Sequence, residues 1–243
     1  MTIYTTNNTN MTRINIIKSK PVSGLSPNSK EMKNYRALLT EFTPLQKEVI
    51  VGLMLNGASL QTQNGGKSYR LKFVWGLKTF NYANHIFELF EEWFISPNSV
   101  DERVTKNGTT VHTVVNQTLS HTGLNYLHDL FMEGNKKVIR PGLILNNLTS
   151  LGLSHWYMEN GGKLDHTNDS AGFLLYTQKY SSDKVDILIN ELREKFNLEG
   201  VRKENKNLPV IQFSAHNASA FIEHILPHIH ADFLDKVPGY YKK

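Results

Sequence analysis

Cysteine is absent from the 243 residues, and with it go disulfides, thiolate nucleophiles and cysteine-ligated zinc. No apolar run approaches the roughly 20 residues that cross a bilayer as a helix, so no membrane function is expected. Acids are missing from the start of the chain, where Glu31 is the first. Residues 1–36 carry Arg13, Lys18, Lys20, Lys30, Lys33 and Arg36 against that one carboxylate, which accounts for the whole formal charge of +5. A local basic surplus favours an anionic partner such as nucleic acid. The same Thr/Asn/Ser-rich stretch is weakly similar to an organelle transit segment, with a solvated tail as the alternative reading.

What is present suffices for a core: 40% of the residues are hydrophobic and 10% aromatic, the balance of a globular protein of one domain or two packed halves. Residues 1–27 read as a basic Asn/Thr-rich extension that ends at Pro27. A short helix is expected over residues 29–41. Thr43-Pro44 then reads as an N-cap followed by proline at the first helical position. The helix after it, through Leu55, is too apolar to be exposed, and Asn56-Gly57 ends it. A hairpin follows around Asn64-Gly65-Gly66-Lys67, then a helix over 80–94, then a second hairpin over 102–118 that turns at Lys106-Asn107-Gly108-Thr109. The same order returns in the second half. A helix over 149–160 stops at Gly161-Gly162, strands run through Phe173-Leu174-Leu175-Tyr176, and a helix covers 182–196. A hairpin over 201–213 turns at Asn205-Lys206-Asn207, and a last helix covers 218–229. Helix, hairpin, helix, hairpin and helix, occurring twice, implies internal duplication.

The two buried helices end alike, in Gly52-Leu53-Met54-Leu55-Asn56-Gly57-Ala58-Ser59 and in Leu153-Ser154-His155-Trp156-Tyr157-Met158-Glu159-Asn160-Gly161-Gly162-Lys163. These segments resemble the motifs of the LAGLIDADG homing endonucleases, specifically the single-chain, two-repeat omega-intron type. The likeness extends to Pro27-Asn28-Ser29-Lys30, Ser96-Pro97, Glu102-Arg103-Val104 and Asn135-Lys136-Lys137. It implies an α+β fold of pseudo-twofold tandem αββαββα repeats, residues 28–140 and 141–243. In that fold the motif helices pack side by side and the hairpins form a curved antiparallel β saddle. A pseudo-twofold inside one chain makes an obligate homodimer unnecessary.

The resemblance also implies where chemistry belongs. Each motif helix should end in a carboxylate, and the pair holds divalent metal for phosphodiester hydrolysis. The matching positions here are Gly57 and Asn160. Neither is an acid, so no catalytic residue, no metal and no cofactor are expected; Mg2+ would enter only if the chain were an endonuclease after all. Glu159 lies one residue early, about 100° around the helix, and is expected to point elsewhere. Lys137 and Lys236 match basic positions that assist cleavage in the family. On the strands, Gln61, Gln63, Lys67, Arg70, Lys72, Arg103, Lys106, Lys163, Lys179, Arg202, Lys203 and Lys206 are candidate contacts to nucleic acid, joined by Arg13, Lys18 and Lys20 of the extension; for each singly, a solvated surface charge is the alternative. His155 reads as a packed side chain. His224 and His228 have zinc spacing but no evident third ligand.

These readings lead to a non-cleaving nucleic-acid-binding protein, with structured RNA favoured over duplex DNA. It would act as a maturase-like factor or as a component of an organellar ribonucleoprotein such as the mitochondrial ribosome, in company with that assembly's other proteins. The resemblance implies a mitochondrial location. The alternatives are a metal-dependent DNA homing endonuclease and a non-cutting DNA-binding regulator.

Overall fold

A computed structural model describes residues 2–3, 14–15, 24–26, 28–164 and 172–238. Two short strands, β1 (Thr2–Ile3) and β2 (Ile14–Asn15), pair antiparallel. After α1 (Lys30–Leu38), whose N-cap Ser29 accepts from Met32 N, comes α2 (Pro44–Leu55). Thr43 and Gln46 close a capping box at its start, each side chain bonded to the other's backbone N–H. The order then runs β3 (Ser59–Gln61), β4 (Arg70–Gly76), α3 (Phe80–Leu89), β5 (Ser99–Val104), β6 (Thr110–Gln117) and α4 (Asn125–Phe131). A small hairpin of β7 (Met132–Glu133) and β8 (Lys136–Lys137) leads to α5 (Leu143–Asn147). The second series is α6 (Ser150–Asn160), β9 (Gly161–Lys163), β10 (Phe173–Tyr176), α7 (Ser182–Phe196), β11 (Gly200–Asn205), β12 (Leu208–Phe213) and α8 (Ala218–Ile225). The αββαββα order thus occurs twice, from α2 to α4 and from α6 to α8.

By packing, the chain divides into two compact units, residues 1–41 with 61–123 and residues 42–60 with 124–243. The division does not follow the repeats, because α2 and α4 of the first series belong to the second unit. In the first unit β4, β6 and β5 form an antiparallel ladder, with β3 beyond β4 contributing Gln61. Alternation along β4 puts Leu71, Phe73 and Trp75 inward. There Phe73 stacks on Trp75 and meets Phe94 edge-on.

The second unit is built around α2 and α6, where Val49 through Leu55 and Gly152 through Met158 are buried without a break. Helices this apolar on every side belong inside a core. They approach closely because Gly52 and Gly152 meet: a Cβ built on Gly52 would overlap the Gly152 carbonyl oxygen, and one on Gly152 would stand 2.8 Å from Glu48 O. The sheet of this unit has the order β11-β12-β10-β9, and its Phe173 stacks on both Phe213 of β12 and Phe221 of α8. Glu191 of α7 supplies the N-terminal acceptor that α5 lacks, accepting from Ile144 N at 2.7 Å and Leu145 N at 3.3 Å.

Three helices are shorter than the sequence predicts; the first, expected over 29–41, covers Lys30–Leu38 and ends as Leu39 turns extended. The one expected over 80–94 stops at Leu89 and gives way to a 3-10 turn, Glu91–Trp93. Phe94 is then drawn into extended backbone by its bridge to Thr118, and Trp93 O accepts from Leu119 N. The last helix stops at Ile225 and continues as the 3-10 turn Leu226–His228, because Pro227 has no N–H for an α-helical bond.

Candidate nucleic-acid interface and the paired helix ends

In the first unit the strand register assigns faces to the polar candidates. Lys72 pairs with Gln117, Val74 with Val115, and Arg103 with Val111. Counting in twos along the strands puts Arg70, Lys72, Gln117 and Arg103 on the face opposite Phe73 and Trp75. Arg70 donates Nε and Nη2 to Gln61 Oε1, both at 3.3 Å, so Gln61 and Arg70 form one polar group. Gln63 and Lys67 sit in the exposed turn between β3 and β4, and Lys106 in the turn between β5 and β6. This face thus carries Arg70 and Lys72 on β4 and Arg103 on β5, together with the acid Asp101, and Lys67 and Lys106 stand in the turns at its rim.

The second sheet separates its candidates. Lys203 pairs with Val210 and shares the face of Gln212 and Leu174, opposite Ile211 and Phe213. Arg202 pairs with Ile211, on the side covered by α7, and its Nε reaches Asp186 Oδ1 of that helix at 2.8 Å. Lys163 pairs with Phe173 and shares that same helix-covered side. Lys206 is exposed in the hairpin turn, where it and Asn207 take positive φ of 53° and 60°, the turn that matches strand twist. Arg13, Lys18 and Lys20 lie outside the described residues. His155 is buried at 2% exposure. His224 Nδ1 is 3.0 Å from Ser150 Oγ, and His230 Nδ1 accepts from Asp232 N.

The ends of α2 and α6 hold a cluster that the sequence only partly reveals. Lys137, delivered by the β7–β8 hairpin, donates to three carbonyls at the end of α2: Met54 at 2.7 Å, Asn56 at 3.0 Å and Ala58 at 2.5 Å. The last carbonyls of a helix carry its negative pole, so an ammonium there satisfies both hydrogen bonding and field. Burial, and then the neighbouring Lys179 charge, push its pKa down to about 7. Lys236 does the same for α6, donating to Met158 O at 2.8 Å, and burial lowers its pKa too. Tyr180 and Tyr157 add hydroxyl donors to Leu55 O and Lys236 O.

Two residues depart from expectation. Glu159 does not point away: its Oε2 accepts from Asn56 Nδ2, and a Cβ placed on Gly57 would lie 3.7 Å from it. The 100° offset from Asn160 turns the side chain across the helix pair instead of out of it, and glutamate is long enough to reach the other helix end. Lys179, expected on a strand, stands in the turn after β10 and donates its ammonium to Asn56 O. The residue is exposed, yet the ammonium is crowded enough for desolvation to lower its pKa to about 8, with Glu159 acting in the opposite sense. Asn160 is turned away from this group, its Nδ2 donating to Tyr176 O at 3.3 Å. No sequence signal places Lys179 here, because the turn after β10 and the end of α2 meet only in the folded chain.

The model of the LAGLIDADG DNA endonuclease family matches residues 47–221. A "probable intron-encoded endonuclease 1" of Wickerhamomyces canadensis is 36% identical over 221 residues, 90% of this chain and 95% of that protein. The cytochrome b mRNA maturase bI2 of Debaryomyces hansenii is 26% identical over 162 residues, 64% of this chain and 60% of that protein. Among solved structures, the homing endonuclease I-WcaI bound to its DNA recognition sequence superposes with a TM-score of 0.87 at 34% identity, covering 94% of this chain and 100% of that one. The α+β homing endonuclease fold expected from the two motifs is therefore the fold observed.

Proposed function

This chain belongs to the LAGLIDADG DNA endonuclease family, and from that membership we propose that it binds nucleic acid without cutting it. The observation that carries the reading is the identity of the two helix-end positions, Gly57 and Asn160. A hard divalent cation seeks several anionic or carbonyl oxygens. Gly57 has none in its side chain, and Asn160 directs its amide nitrogen to Tyr176 O. Among the described residues Glu159 is the carboxylate that a Cβ on Gly57 would meet, and Lys137, Lys179 and Lys236 all interact with it electrostatically. This donor set does not fit a catalytic metal.

Phosphate attraction by lysine and arginine does not depend on those acids. Structured RNA is the partner we assign, in a maturase-like role or within an organellar ribonucleoprotein. The support is the relatives named as cytochrome b mRNA maturases, from Debaryomyces hansenii and Saccharomyces cerevisiae. A mitochondrial location belongs to the same proposal and rests on the same relatives. Duplex DNA is the second reading, favoured by the DNA-bound structure at 34% identity.

Ultraviolet crosslinking in the native cell, followed by sequencing of the attached nucleic acid with RNase and DNase controls, separates the two. Intron or ribosomal RNA is the expected result. A discrete DNA duplex would overturn the RNA assignment and leave a DNA-binding protein in its place.

A further inference from the structure

The lysines at the paired helix ends are not equivalent. An ammonium has three N–H donors, and Lys137 spends all three on the carbonyls of Met54, Asn56 and Ala58. It closes the end of α2 and has no donor left for a ligand. Lys179 makes one hydrogen bond, to Asn56 O, and is exposed. The ammonium also lies over the Tyr180 ring, and two of its donors are not committed to a protein oxygen beside the Gly57 position, where the side chain that would have held a metal is missing. Lys236 sits at the other helix end, bonded to Met158 O and lying over the Phe233 ring.

Resting on the binding reading above, we infer that Lys179 is a resident cation: its ammonium takes the electrostatic place of a divalent ion at the helix ends and binds a backbone phosphate of the nucleic acid directly. Three observations converge. The ammonium is anchored on a helix C-terminal carbonyl, which fixes a positive charge where the helix field favours one. Glu159 lies close enough to stabilise that charge and is itself held by the Asn56 amide, so the carboxylate is engaged within the protein. Lys137 donates to the same Asn56 carbonyl, and in its protonated form its charge and that of Lys179 oppose each other and disfavour any further cation. An ammonium has no coordination sphere to complete and activates no water, so the site holds phosphate without attacking it.

The inference differs from the mere loss of two acids in what it says about restoring them. Gly57→Asp with Asn160→Asp replaces the missing carboxylates but leaves the resident charge in place. The Mn2+ affinity of three proteins is compared by isothermal titration: the wild type, that double variant, and the double variant with Lys179→Ser added. The triple variant is expected to bind Mn2+ about tenfold or more tighter than the double variant, a factor that removal of one juxtaposed like charge supplies. Equal Mn2+ affinity in the two would overturn the inference and leave the binding reading untouched.

The phosphate contact is read separately, in EDTA, from the salt dependence of binding to a labelled duplex DNA and a labelled structured RNA. Lys179→Met keeps the stem and removes the charge. It is expected to lower the slope of log affinity against log salt by about 0.9 on the duplex and by about 0.7 to 0.9 on the structured RNA, which mixes paired and single-stranded backbone, while Lys179→Arg retains the slope. An unchanged slope in Lys179→Met, with its thermal unfolding as in the wild type, would refute the contact. Failure of the wild type to bind either probe would sink the binding reading, and the phosphate contact with it.

Discussion

Gly52→Ala is expected to destabilise the protein by about 3 kcal/mol or more, read as a drop in the urea midpoint. The added methyl would run into the carbonyl oxygen of Gly152. That obstacle is backbone on a buried helix, so no side chain can turn aside, and the two helices must separate along residues that are buried throughout. Separation opens a gap along the centre of the second unit's core, and packing contacts are lost on both sides of it. Gly57→Ala is the matched control. Its Cβ would meet only the flexible end of Glu159, at 3.7 Å, and a change within about 0.5 kcal/mol is expected, as for substitutions away from packed features. Comparable losses in the two variants would contradict the account of why the helices pair.

Lys137→Met is expected to cost about 2 kcal/mol near neutral pH, because buried carbonyls lose their donor. Asn56 O keeps Lys179, so Met54 O and Ala58 O are the ones stripped of this bond. The loss should also change with pH. Burial, with Lys179 as the second cause, holds the Lys137 pKa at about 7, below its ordinary 10.5. Between those two values the unfolded chain binds a proton that the folded chain does not, so stability rises with pH across that window and is flat below it as far as this group is concerned. Lys179, lowered to about 8, contributes in the same direction over a narrower range. Wild-type urea midpoints should therefore climb from about pH 7 upward, and Lys137→Met should climb less, so that the gap between them widens. A gap that narrows with rising pH would show that the buried ammonium is the charged form the fold prefers.

The local signals in the sequence were strong where the physics is local. Thr43-Pro44 set the start of α2, with Gln46 completing the box, and the turn at Asn205-Lys206-Asn207 adopts the positive φ pair that closes β11 on β12. The duplicated element order followed from periodicity and turns alone. Short elements escaped: α5 has five residues, its stability coming from the distant Glu191 carboxylate and not from its own pattern. The β7–β8 hairpin escaped as well, two residues per strand being too few for alternation to register.

At the site, the substituted positions were legible because each motif fixes its own last residue. The neighbours were not. Helical periodicity places Glu159 relative to its own helix axis alone, whereas its orientation is decided by the second helix, brought close at Gly52 and Gly152. Arg202 was an outward candidate by composition, but the register pairs it with Ile211 and gives it Asp186 as partner. Lys179 reaches Asn56 across 123 positions in the chain, a contact no local pattern encodes.

The most direct test of the central claim is to incubate the purified protein with its crosslinked nucleic acid, in Mg2+, in Mn2+ and in EDTA, and to resolve bound and cleaved species from the same samples. Binding of similar strength in all three, with the strands intact, is the result expected from Gly57, Asn160 and the lysines beside them. Strand cleavage that appears with either metal and vanishes in EDTA would contradict it.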